Sequence, residues 1–212
     1  ALASGPSATG NYRDLSFGPL EGTRQEAKEL EGIFSRHEFS SAEKLGLDAT
    51  EAALRQVKSP RILHLATHGF FIEGKEELAG NLGQARFFGL DQQTKGSLGN
   101  PMHRAGLALT GAQSTFDAWG KGGVIRSDND GIVTAEEAAL LDLQGTWLTT
   151  LSACSTGSGF ARAGEGVLGL RRAFAQAGTQ NLLITLWPVS DTRTVDFMQA
   201  FYAEALKTGD AP

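Results

Sequence analysis

Residues 61–66 read RILHLA, and two later stretches share their character, TWLTTLS at 146–152 and NLLITLW at 181–187. Their apolar and β-branched residues run on continuously instead of alternating with polar ones. That pattern fits strands covered on both faces, as in a parallel sheet flanked by helices. Between the second and third runs, GEGVLGLRRAFAQAG (164–178) places Val167, Leu170, Ala173, Phe174 and Ala177 on one helical face, with Gly178 positioned as the C-cap. After Trp187-Pro188, SDTRTVDFMQAFYAEALK reads as a last helix capped by Ser190 or Asp191. Upstream, TRQEAKELEGIFSR (23–36) spaces Ala27, Leu30, Ile33 and Phe34 as one helix face, and Thr23 with Glu26 has the form of a capping box. Residues 38–44 read as a short strand, and ATEAALRQV (49–57) as a second helix ended by Ser59-Pro60. Strand and helix alternate, so the expected class is α/β with a mainly parallel sheet.

The chain has 212 residues with a formal charge of −5, 41% hydrophobic and 20% charged residues, 27 Gly and one Cys. A length in the range of roughly 100–200 residues per domain provides for a full-sized core. One Cys excludes a disulfide framework and a Cys-based structural zinc site. The acidic balance argues against nucleic acid as the main partner, since phosphate neutralisation needs clustered Lys and Arg. No apolar run approaches the roughly 20 residues that span a bilayer, and no signal-peptide h-region opens the chain, so the expected location is cytoplasmic, without a membrane partner. The first Met is Met102, which points to a piece of a longer protein. The small, polar opening makes residues 1–19 linker-like, and the domain is expected over 20–212. Residues 73–129 are rich in Gly, Asn, Gln and Ser; within and after them, GLALTGA (106–112) and GIVT (131–134) are expected to pair as a β-hairpin. Thr134 and Glu137 form a second capping-box pattern, before AEEAALL.

The lone Cys154 follows TWLTTLS in LSACSTGSG, and His68 follows RILHLA in HLATHGFF. In an open parallel sheet the carboxyl ends of the strands present reactive groups. If both runs belong to one sheet, a Cys and a His 86 positions apart (154 − 68) meet at one edge, as a nucleophile and its base do. Gly69, lacking Cβ, lets its amide approach a substrate carbonyl, and with the Cys154 amide it can form an oxyanion hole. The bland readings are a small buried hydrophobe for Cys154 and a turn residue for Gly69. HLATH is no metal site, because on a strand residues four apart are separated by about 13 Å. His64 is therefore read as a hydrogen-bonded core histidine, and His37 and His103 as surface residues. Asp128, Asp130 and Gly131 suggest a calcium loop, but that alignment puts Arg126 at the first ligand position. GSGFARAGEG lacks the ending of a phosphate loop.

Taken in order, HLATHGFF, GLALTGA, DGIVTAEEAALLDLQGT, LSACSTGSG, GEGVLGLRRAFAQAG and LWPVSD resemble the CHAT domain, a caspase-like cysteine peptidase family related to separase, caspases and gingipains. The likeness runs from about residue 20 to 207. It implies a caspase-like three-layer α/β sandwich with an inserted β-hairpin, and His68 and Cys154 as a catalytic dyad acting through an acyl-enzyme. It implies no metal and no organic cofactor. By analogy with separase-like relatives, Asp191 would bind a basic P1 side chain of a protein or peptide substrate; the plainer role is a helix cap. Relatives often follow tetratricopeptide repeats or another regulatory domain and act in bacterial signalling or defence. A catalytically silent scaffold of the same fold is the alternative. A thiol redox sensor is weaker, for want of a resolving Cys.

Overall fold

A computed structural model describes residues 16–71, 102, 105–121, 129–155, 163–185 and 191–207, giving the backbone alone for Cys154 and Asp191. Its centre is a sheet in which β1 (Ile62–Phe71) lies between β4 (Leu148–Ser155) and β2 (Ala105–Ala108). β5 (Asn181–Ile184) flanks β4 and β3 (Ile132–Thr134) flanks β2, so the order is β3-β2-β1-β4-β5. β1 pairs with β4 and β4 with β5 in parallel, while β2 is antiparallel to both β1 and β3. Four strands thus share one direction and β2 opposes them. The α/β class and the mainly parallel sheet agree with the sequence reading, as does the pairing of β2 with β3. Their connection is longer than a hairpin turn, since the chain after β2 enters α3 (Ala112–Gly120).

Side-chain alternation along the strands sorts the core into two faces. On one, Leu63, Leu151 and Ala153 pack with Leu170, Ala173, Phe174 and Ala177 of α5 (Ala163–Ala177) and with Ala135 and Ala138 of α4 (Ala135–Ala138). On the other, Ile62 and Leu148 pack with Leu30 and Ile33 of α1 (Glu21–Arg36) and with Tyr202 and Leu206, in and just after α6 (Asp191–Ala205). Ile33 is 1% exposed and Phe174 fully enclosed, and burying each such side chain is worth about 1.5–3 kcal/mol. A third cluster, Phe70, Ala108, Ala112, Phe116 and Ile132, lets α3 cover the β1–β2–β3 end.

Local chemistry explains where elements begin and end. Thr50 accepts from the Ala53 amide at 3.1 Å and starts α2 (Glu51–Arg55). The Thr134–Glu137 capping box is present at α4. Gly178 ends α5 at φ +109°, and a Cβ there would lie 2.7 Å from the Gln144 Cα. Gly131 is more constrained: at φ +84° its Cβ would meet the Ala112 amide nitrogen at 2.3 Å.

Two local expectations need correction. Thr23 and Glu26 make no capping box; α1 starts at Glu21, and Thr23 Oγ1 donates to the Leu20 carbonyl at 2.7 Å. Glu26 instead turns inward, 3% exposed. Residues 38–44 form no strand. Glu38 takes φ 61° and the Phe39 amide folds back onto the Phe34 carbonyl at 3.0 Å, so this stretch is used to terminate α1. Phe39 then packs on Phe34 beneath the Arg61 guanidinium.

Candidate active site

Parallel pairing brings the two candidate strands side by side at the centre of the sheet. In the β1–β4 register His64 stands opposite Thr150, Ala66 opposite Ser152, and His68 opposite Cys154. Neighbouring strands lie about 4.8 Å apart, so a separation of 86 positions (154 − 68) closes to adjacent backbones. The residue pattern puts both just past their strands; both lie within them. β1 continues to Phe71 because β2 takes up Gly69, Phe70 and Phe71 as partners, opposite Leu107, Gly106 and Ala105.

The His68 ring is held from a part of the chain that sequence reading treated as linker-like. Its Nε2 lies 2.7 Å from the Gly18 carbonyl oxygen, and the Phe17 ring lies tilted against it at 5.5 Å. A carbonyl can only accept, so Nε2 carries the proton. In the neutral imidazole Nδ1 then holds the lone pair, and it is buried with no hydrogen-bond partner among the described residues. An unpaired buried nitrogen of this kind is costly unless the site uses it.

Just before Cys154, a side chain takes over from the sheet. The Ala153 amide donates to Thr185 Oγ1 at 3.0 Å, and that hydroxyl lies 2.8 Å from the Ala153 carbonyl. β5 runs to Ile184, and just beyond it the Thr185 hydroxyl holds the backbone next to Cys154. Gly69 has room for a Cβ, which would sit 3.6 Å from the Ala153 Cβ, an ordinary contact. Packing among the described residues thus does not require glycine there.

Beneath the pair lies a polar cluster on the same parity of both strands. His64 Nε2 lies 2.9 Å from Glu26 Oε1, and Nδ1 lies 3.0 Å from the Tyr202 hydroxyl. Thr150 meets that hydroxyl at 2.6 Å, and Ser152 Oγ donates to Glu26 Oε2 at 3.3 Å. One proton order satisfies every group: Thr150 to Tyr202, Tyr202 to His64 Nδ1, His64 Nε2–H and Ser152 to the Glu26 carboxylate. Burial pushes the Tyr202 phenol above its ordinary range; the Thr150 bond opposes this shift and the Glu26 charge adds to it. His64 is thus the hydrogen-bonded core histidine expected from sequence. The inward role of Glu26 was missed because Thr-x-x-Glu also spells a cap.

The sequence model of the CHAT domain matches residues 1–211. This chain belongs to the CHAT family. No curated protein and no solved structure matches it in the same comparisons. The CHAT sandwich observed here is compatible with a caspase-like one, with α1 and α6 on one face of the sheet and α4 and α5 on the other. Among its described residues, no group of three His, Cys, Asp or Glu could hold a metal ion, and no helix is long and apolar enough to cross a membrane. His37 is exposed. His103, Arg126, Asp128, Ser190, residues 157–162 and most of 73–129 lie outside the described residues. Asp191 is described as the first residue of α6.

Proposed function

We propose that this CHAT domain is a cysteine endopeptidase with Cys154 as nucleophile and His68 as its acid–base partner. The supporting observation is the rung that sets His68 opposite Cys154, together with the Gly18 contact that leaves the His68 Nδ1 lone pair without a partner among the described residues. In this reading His68 accepts the thiol proton and the Cys154 thiolate adds to the scissile carbonyl. The Gly69 and Cys154 amides stabilise the oxyanion. His68 returns the proton to the leaving amine as the C–N bond breaks, and water, deprotonated by the same imidazole, releases the acid from the thioester. Asp191 receives a basic P1 side chain. The work is done in the cytoplasm on a protein substrate, under control of an adjoining domain or partner such as a tetratricopeptide-repeat segment, in bacterial signalling or defence, as the family resemblance implies.

Covalent labelling with peptidyl acyloxymethyl ketones carrying Arg, Ala or Asp at P1 tests the reading. Labelling should occur in the wild type, vanish in Cys154→Ala and fall at least about 100-fold in His68→Ala, the scale of acid–base catalysis. Preference for Arg, lost in Asp191→Ala, supports the P1 assignment, and equal rates refute it. Absence of labelling in the wild type would replace the enzyme by a silent scaffold.

A further inference from the structure

The segment that holds His68 is itself held by a side-chain relay from α3. The Phe17 amide donates to Gln113 Oε1 at 2.7 Å. Gln113 Nε2 donates to Asp117 Oδ1 at 2.7 Å, one helical turn on. The Phe17 ring is clasped by Phe116 at 5.2 Å and by Phe70 at 6.4 Å. The next residue, Gly18, presents its carbonyl to His68 Nε2.

The hydrogen-bond directions are forced. A backbone amide can only donate, so Gln113 must turn its oxygen to Phe17. A carboxylate only accepts, so Asp117 fixes the opposite edge of the same amide group. If the Gln113 amide flipped, an N–H would face an N–H and an oxygen would face a carboxylate. From this geometry we propose that Gln113 and Asp117 are positioning residues for His68, acting through Phe17 and Gly18 to set which imidazole nitrogen carries the proton. Neither touches the reacting atoms. The role of the set tautomer in catalysis rests on the peptidase reading above; the setting of the tautomer does not.

The test uses the full 212-residue chain, whose four histidines keep the imidazole spectrum assignable, with His68→Ala identifying the resonances of interest. Imidazole nitrogen shifts at a pH where the ring is neutral should report the Nε2–H tautomer in the wild type. Gln113→Ala should raise the Nδ1–H fraction and slow labelling by the peptidyl ketone roughly tenfold, the scale of one hydrogen bond, with the change in the rate constant and not in affinity. The double variant Gln113→Glu, Asp117→Asn restores an acceptor toward Phe17 and a donor toward residue 113, so it should recover the wild-type tautomer. An unchanged tautomer in Gln113→Ala, with an unchanged melting temperature, overturns the proposal even if the wild type labels. A shifted tautomer in Gln113→Ala, with a wild type that does not label, upholds the relay and refutes the peptidase.

Discussion

Glu26 is the residue whose removal should damage this fold in the most informative way. It is 3% exposed, projects from α1, and receives hydrogen bonds from β1 through His64 at 2.9 Å and from β4 through Ser152 at 3.3 Å. One carboxylate therefore ties the helix to both central strands, with Ser152 two residues before Cys154. Glu26→Ala leaves the His64 Nε2–H and the Ser152 hydroxyl without an acceptor in a closed space. Hydrogen bonds to a charged group are worth about 1.5–3 kcal/mol each, so losing the two costs about 3–6 kcal/mol. At a urea m-value of about 2 kcal/mol/M the unfolding midpoint should fall by roughly 1.5–3 M. Glu26→Gln keeps an oxygen for His64 and an NH₂ for the Ser152 oxygen, so its cost should be nearer 1 kcal/mol, the net worth of an ordinary hydrogen bond. In a double-mutant cycle with His64→Ala, the combined loss should fall short of the sum of the single losses by at least about 1 kcal/mol, because either change breaks the same contact. Urea titrations followed by circular dichroism measure all five proteins. A loss below about 0.5 kcal/mol in Glu26→Ala, or strict additivity in the cycle, would refute the idea that Glu26 clamps the two strands.

Other consequences can be checked alongside. Glu51 is 2% exposed, and burial, with added repulsion from Glu137 that Arg55 only partly offsets, raises its pKa from 4.5 to about 7. A carboxyl whose folded pKa lies above its unfolded value stabilises the fold at pH below about 4.5 and loses that contribution as pH rises through about 7; Glu51→Gln should flatten the stability profile across this window and gain stability at pH 8 relative to pH 5, as melting curves would show. Gly69→Ala should fold normally, since a Cβ there meets Ala153 at 3.6 Å, yet lose peptidyl-ketone labelling if substrate approaches the Gly69 amide; full labelling removes Gly69 from the oxyanion hole. Gly145→Ala, at φ +80° with no atom of the described residues within 4 Å, should cost about 1 kcal/mol, whereas Gly131→Ala, at φ +84° with a Cβ 2.3 Å from backbone, should leave little soluble protein.

The motif Thr-x-x-Glu occurs twice in the chain and shows what could and could not be read from residues alone. At Thr134–Glu137 it caps α4, with Glu137 37% exposed at the rim and free to bend back to the Thr134 amide at 2.9 Å. At Thr23–Glu26 the same letters make no cap, because two strands more than 35 positions away offer the carboxylate better partners. Local pattern proposes both arrangements, and tertiary burial decides between them. The central strands were legible because continuous apolar runs have few alternatives; α3 was not, because Ala112 and Phe116 make a helix face only once Phe70 is there to be covered.

The candidate site shows the same division between chemistry and placement. Cys154 and His68-Gly69 could be singled out by residue type, and the strand character of their surroundings suggested a shared edge. The rung joining them follows from the order of the sheet, in which β1 lies directly beside β4. Once that rung is set, the period of two carries the consequence down the strands: positions 64, 66 and 68 of β1 stand opposite 150, 152 and 154 of β4. The polar residues His64, Thr150 and Ser152, anomalies within runs that otherwise read as apolar core, fall on that parity and are satisfied by Glu26 and Tyr202. A register slip of one residue would turn them toward the apolar α5 face and break every one of those bonds. The network beneath the site therefore opposes slippage of β1 against β4, and in doing so it keeps His68 opposite Cys154.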